Sequence, residues 1–432
     1  MKLAARLSTD EQNALIARDG GTETKAIAPL RLHVIEVDDA DADATLANYR
    51  GDDQVVSAEL DKTRAVGTTP GDFAYGNQWS LPKIGWDNLY GSVHALSTAT
   101  VAVLDTGVDA SHEDLQHQLA AGTSILDGSA GTTDANGHGT EMAGIVAAAA
   151  GNGKGIAGVG YSGVNVMPVT VLGRDGTGQD SDVVAGVVYA VQQGADVILM
   201  SFSNPGFSQS LQDAIDYAWD NNVVVVAATG NDGSDVATFP AGDRGVIGVS
   251  NTDSLDALNP TSNYGDDTFL AAPGTAISTT SPGDSYVSVT GTSAAAAVVA
   301  GAAGLMRAAS VLASNGVIAS RLAKTADPAG TAAQTGNGRL NLERAMGDES
   351  TDSIEPAGAG PAGGGGPFVG PYTVASATYT SLFPLDATSY TTATYNAGNG
   401  TGAADIGAVV SWGQSTGAHT VSFSIKRNSD NT

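Results

Sequence analysis

Three glycine-rich phrases each present one side chain suited to acyl transfer. Asp105 stands in VAVLDTGVDASHEDL, His138 in NGHGTEMAG and Ser293 in GTSAAAAVVAG. A serine hydroxyl is a poor nucleophile until an adjacent imidazole takes its proton. A carboxylate that fixes the imidazole tautomer and stabilises the imidazolium completes the set. Each residue also has a plainer reading. Ser293 could cap the Ala-rich helix that follows, and Asp105 could cap a turn. His138 differs from the other histidines in having small neighbours on both sides. His112, beside Glu113 and Asp114, is expected on the surface. A fourth phrase, AATGNDG, offers the Asn231 amide, which can donate to an oxyanion.

These residues need a scaffold with several strand ends close together. Val101–Leu104, Val164–Val171, Val197–Met200, Val223–Ala227 and Val246–Val249 are short, β-branched and almost continuously apolar. Such runs suit strands buried on both faces of a parallel sheet. Ser181–Gln193, Ser208–Asn221 and Ala294–Ala309 carry helical spacing. The alternation predicts an α/β fold, a three-layer α/β/α domain with a mainly parallel sheet. Asp105 would then sit at the carboxyl end of a strand, where such folds build sites. Ser293 would open a helix, whose free N–H groups and positive end favour an oxyanion.

The order Asp, His, Ser with these flanks resembles the subtilisin-like serine peptidases, or subtilases. The resemblance implies hydrolysis of internal peptide bonds through an acyl-enzyme, with Asp105, His138 and Ser293 as triad and Asn231 as oxyanion donor. It implies that Gly176, Thr177 and Gly178 form one edge for an extended substrate and Ser201, Phe202 and Ser203 the other. Ala228, Thr229 and Gly230 would wall the primary specificity pocket. It also implies a structural calcium near Asp114 and the loop 149–156, with Asn152 a ligand; no cofactor is expected for catalysis. Departures from the family pattern are Ala294 where Met is usual, Ala297 for Pro, Ser203 for Gly and Glu141 for His.

Four segments are expected. Residues 1–68 form a propeptide-like segment, since Leu30–Leu60 reads as strand, helix, strand and resembles the end of a subtilase propeptide; a ferredoxin-like fragment is the plainer alternative. Residues 69–350 form the catalytic domain, 351–367 a Gly/Pro-rich flexible linker and 368–432 a small β-rich, sandwich-like domain. The expected partners are protein or peptide substrates and the chain's own propeptide as inhibitor, acting on a monomer.

The 432 residues hold 46 acidic and 19 basic side chains, a net charge of -27. Such a surface makes nucleic acid and anionic lipid poor partners. The absence of cysteine excludes disulfides and thiolate metal sites. No stretch reads as a membrane span. The start, MKLAARLSTDEQNAL, turns polar too early for a secretory signal, so a secreted enzyme lacking its natural N-terminus is expected. Two rival functions keep the same residues: a subtilase-fold transpeptidase or macrocyclase, and a surface-binding protein with a silent peptidase domain.

Overall fold

A computed structural model describes residues 1–18, 21–38, 41–61, 69–359, 390–396, 405–411 and 422–427. The chain divides into two compact units, Met1–Val66 and Gly67–Thr432.

The first unit runs β1 (Lys2–Leu3), α1 (Thr9–Ala17), β2 (Thr22–Ile27), β3 (Leu32–Glu36), α2 (Ala42–Arg50) and β4 (Val55–Ser57). Helix α1 starts with a capping box in which the Ser8 and Glu11 side chains each bond the other's backbone N–H. The strands pair antiparallel in the order β2-β3-β1-β4, a ferredoxin-like βαββαβ arrangement. Its small core holds Leu3, Leu15 and Tyr49. The strand–helix–strand expectation for 30–60 corresponds to β3, α2 and β4. The earlier elements α1 and β2 lie outside it, because their exposed, charged residues carry no clear apolar period.

The second unit is built on a seven-stranded sheet. After α3 (Ser80–Lys83) come β5 (Ala99–Asp105), β6 (Thr123–Ser124), α4 (His138–Ala147), β7 (Val164–Thr170), α5 (Asp180–Gln192), β8 (Val197–Met200), α6 (Gln209–Asp220), β9 (Val224–Ala228), β10 (Val246–Thr252) and β11 (Leu270–Pro273). The strand order is β11-β10-β9-β8-β5-β7-β6, and the pairs are parallel. A hairpin, β12 (Ile277–Ser281) and β13 (Ser285–Val289), precedes α7 (Thr292–Ala309), α8 (Asn315–Thr325), α9 (Ala332–Thr335) and α10 (Leu342–Gly347). Val101, Val103, Val197, Leu199, Val224 and Val226 face one core with α4, α7 and α8. Their neighbours Ala102, Leu104, Ile198, Met200, Val225 and Ala227 face a second core with α5 and α6. The period of two thus feeds two helical layers, as in a three-layer α/β/α fold.

Helix α7 lies in the core against β5, β8, β9, β10, β11 and α4. A Cβ on Gly304 would sit 3.0–3.2 Å from Val101 and Val164, so the helix rides directly on the sheet. Among the described residues α7 is long and apolar enough to cross a membrane, contrary to expectation, but 89% of it is buried inside the fold. Its hydropathy is that of a core helix.

The expected flexible linker begins too early at 351. Ile354 and Pro356 are buried, and the backbone is tied down: Ile354 N–H donates to Gly316 O, Gly245 N–H to Pro356 O and Ala359 N–H to Gly242 O. Composition alone hid this docking. Residues 360–367 lie outside the described ones. Further on, β14 (Tyr390–Asn396), β15 (Asp405–Ser411) and β16 (Ser422–Arg427) form an antiparallel sheet in sequential order; the rest of the expected C-terminal β-rich domain lies outside the described residues.

Candidate active site

Strand β5 is the point where the chain order reverses, with β7 on one side and β8 on the other. Ligands of open α/β sheets bind in the crevice beyond such strands' carboxyl ends. Asp105 ends β5 and is fully buried. Its Oδ1 accepts from Thr106 N–H at 2.8 Å, and His138 Nδ1 lies 2.8 Å from Oδ1 and 2.9 Å from Oδ2. A carboxylate can only accept, so Nδ1 carries a proton, and in the neutral ring Nε2 keeps its lone pair. A Cβ on Gly139 would stand 2.1 Å from Gly107 O and 3.2 Å from Asp105 Cβ, so only glycine lets α4 come this close to β5.

The turn before His138 is held by Asp134. Its carboxylate accepts from the N–H groups of Asn136, Gly137 and Thr140 and from the Thr106 and Thr140 hydroxyls. Burial works against charge on His138, but Asp105 outweighs it, with help from Glu141 and Asp134, and its pKa is raised to about 9. Glu141 is itself pushed up, chiefly by burial.

Ser293 is the second residue of α7, whose N-cap is Gly291, so it does not serve as the cap. Its hydroxyl donates to Ser201 O at 2.9 Å, just beyond the end of β8. The structure joins Asp105 to His138 and seats Ser293 on Ser201; the Ser293 hydroxyl is not turned to the imidazole. Catalytic hydrogen bonds often tighten only with substrate bound.

Asn231 follows β9. Its Oδ1 accepts from Thr292 N–H at 2.9 Å and from the Thr292 hydroxyl at 3.2 Å. Fixing the oxygen fixes the amide plane and leaves the NH2 outside that clamp. The loop bearing the amide is therefore tied to the turn bearing Ser293. Thr292 was not singled out by sequence reasoning, although its place beside Ser293 was a signal.

The expected substrate segments divide. Gly176, Thr177 and Gly178 are exposed in a turn where Asp175 accepts from Thr177 N–H and its hydroxyl. Ser201 is buried, Phe202 partly so and Ser203 exposed. Ala228 is in the core, and the buried Thr229 hydroxyl donates to Val249 O and Asn263 O. These two can offer a pocket only their backbone, because the sheet and the loop behind it claim their side chains.

His112 is a correction: it is fully buried. Its ring lies 3.0 Å from Ser285 O, accepts from Asp114 N–H and stands edge-on to Tyr286. The acidic neighbours that suggested a surface position point it into a polar cluster instead.

That cluster bears on a metal. Asp114 is buried; its Oδ1 accepts from Asn152 Nδ2 and its Oδ2 from Ile156 N–H and Tyr286 OH. Asp72, also buried, accepts from the N–H groups of Gly151 and Asn152. Asn152 thus bridges two buried carboxylates, neither with a lysine or arginine partner among the described residues. Burial foremost, with Asp114 adding to it, pushes the Asp72 pKa up against the backbone hydrogen bonds that favour its charged form. Hard oxygen ligands with uncompensated charge fit a calcium ion in chemistry. Asn152 as placed turns its oxygen to Lys154 N–H, so holding an ion needs the amide reversed. Among the described residues no three acidic or imidazole groups converge, so carbonyls would complete any site. Asp72 escaped sequence reasoning because it lies in the Gly/Thr/Pro-containing stretch 65–73, which has the composition of a linker and runs into the start of the expected domain.

The model of the subtilase family matches residues 97–347. Thermitase of Thermoactinomyces vulgaris is 38% identical over 63% of this chain and 95% of its own length. Subtilisin DY of Bacillus licheniformis is 36% identical over 62% of this chain and 97% of its own. A solved protease structure from Pseudoalteromonas arctica aligns with TM-score 0.58 and 31% identity, covering 65% of this chain and 99% of that one. With the family model spanning more than half of its length, the chain belongs to the subtilase family of serine peptidases.

Proposed function

We propose that this serine endopeptidase cleaves internal peptide bonds with Asp105, His138 and Ser293 as triad and Asn231 as oxyanion donor. The observation that carries the reading is the Asp105–His138 pair, which holds the imidazole through Nδ1 and leaves Nε2 to act as the base in the neutral ring. The Ser293 hydroxyl gives its proton to Nε2 as its oxygen attacks the scissile carbonyl. The oxyanion is met by the Asn231 NH2 and by the backbone N–H of Ser293 in the first turn of α7. Collapse expels the amine, which takes the proton from Nε2 and leaves an acyl-serine. Water then adds with His138 again as base, and the acid leaves. Segments 176–178 and 201–203 would hold the substrate backbone as an added strand.

The ferredoxin-like first unit, residues 1–66, serves in this reading as propeptide and inhibitor of the domain that begins near residue 69. Export and a monomeric state belong to the same reading and rest on the family resemblance. A calcium ion held by Asp72, Asp114 and Asn152 would neutralise the buried carboxylates and pin the loop 149–156; it takes no part in catalysis.

Labelling with a peptidyl phosphonate, followed by mass spectrometry of the adduct, tests the reading. The adduct is expected on Ser293 and absent in Ser293→Ala and His138→Ala. An adduct elsewhere, or casein hydrolysis by Ser293→Ala, would overturn it.

A further inference from the structure

Strand β9 ends at Ala228, and the chain leaves the sheet as the loop 229–234 that carries Asn231. Such a loop loses the ladder bonds that fix a strand, so something else must hold its backbone. The holder is Asn263, buried at 1% exposure. Its Nδ2 donates to Thr229 O at 2.9 Å. Its Oδ1 accepts from Asp232 N–H at 2.8 Å and from Ser234 N–H at 3.1 Å. Its own N–H donates to Gly230 O at 2.9 Å, and its carbonyl accepts from the Thr229 hydroxyl. One residue thus grips the backbone on both sides of Asn231.

The chemistry demands an asparagine. One end must donate to a carbonyl and the other must accept from two N–H groups, at short reach. An aspartate would set an oxygen against Thr229 O. The fit is close: a Cβ on Gly230, whose φ is +105°, would lie 2.4 Å from Asn263 Nδ2.

We infer that Asn263 is a positioning residue for the reaction, holding the Asn231 amide where the oxyanion forms through its grip on Thr229, Gly230, Asp232 and Ser234. The inference rests on Asn231 being the oxyanion donor. It concerns preorganisation: a donor fixed beforehand costs no reorganisation when charge develops. Loss of Asn263 therefore acts on kcat and spares ground-state binding.

A double-mutant cycle tests this, using a peptide anilide and the full chain. Asn263→Asp is expected to lower kcat by about 10- to 100-fold while KM moves less than about 3-fold. In an Asn231→Ala background the same change is expected to alter kcat by less than about 3-fold, since the group it positions is gone. Multiplicative losses, or a loss confined to KM, would overturn the inference. An Asn231→Ala variant with undiminished kcat would instead sink the oxyanion assignment, a separate result. Thermal melts verify folding, and if Asn263→Asp does not fold, Asn263→Ser is read through the same cycle.

Discussion

His138 Nδ1 is shared between both carboxylate oxygens of Asp105, at 2.8 and 2.9 Å. The shared bond favours the imidazolium, and the His138 pKa, though opposed by burial, is raised from 6.5 to about 9. Catalysis needs the neutral base, so kcat/KM of the free enzyme should climb through about pH 9. Stability runs the other way. The pair's contribution is complete below about pH 6.5 and is lost as pH rises through about 9. Glu141→Gln removes a charge that favours the imidazolium, and the acid limb of the pH–rate profile should move to lower pH. An unmoved limb would show that Glu141 does not act on His138.

Chelation gives a second expectation. If an ion joins Asp72, Asp114 and Asn152, excess chelator lowers the melting temperature, because a ligand of the folded state alone stabilises it by mass action. Asp72→Asn should abolish the chelator effect. A wild-type melt indifferent to chelator would mean that Tyr286, Asn152 and the loop N–H groups hold both carboxylates unaided.

Asp243 is fully buried, and neither of its oxygens has a hydrogen-bond partner among the described residues. Burial foremost, then Asp216 and Asp180, pushes its pKa from 3.8 to about 7. The folded state therefore prefers the neutral acid, and stability falls as pH rises from about 4 to about 7. Asp243→Asn should raise the melting temperature at pH 8 and change it little at pH 4. Each pKa unit corresponds to about 1.4 kcal/mol, so the gain is on the order of a few kcal/mol. Equal melts of the two proteins at pH 8 would refute this.

Oxidation is the fourth case. Ala294 follows the nucleophile and has no sulfur, while Met142, Met167, Met200 and Met306 are all buried. Activity should outlast that of Ala294→Met in dilute peroxide, since a sulfoxide beside Ser293 would put a polar oxygen at the reacting centre. Matched decay curves would place the damage elsewhere.

The parallel strands were readable because runs such as Val197–Met200 are buried on both faces and carry one apolar signal. Helix α7 was readable from its alanines, and its start only to within two residues, because Thr292 and Ser293 suit both a cap and a first turn. The Asp–His–Ser phrases were legible because the turns that expose those side chains need glycine nearby. What held those turns was not. Asp134, Thr292 and Asn263 act through backbone groups brought together by the fold, and such partners leave no local pattern. Asp72 and the docked segment 353–359 were hidden for a related reason: both lie in stretches whose composition is that of a linker.

Helix α7 carries Ser293 in its first turn and then runs through the core on alanine and glycine, with Gly304 pressed against Val101 and Val164. The seat of the nucleophile is therefore a part with no spare volume behind it. A larger side chain along its buried length is overpacking, which typically costs about 1–3 kcal/mol. It would also shift the turn on which the reaction depends, so rate and robustness are inherited together there. If 176–178 and 201–203 hold the substrate as proposed, room for adaptation lies in the exposed turns around 174–178 and 203–206, where a change need not disturb the core.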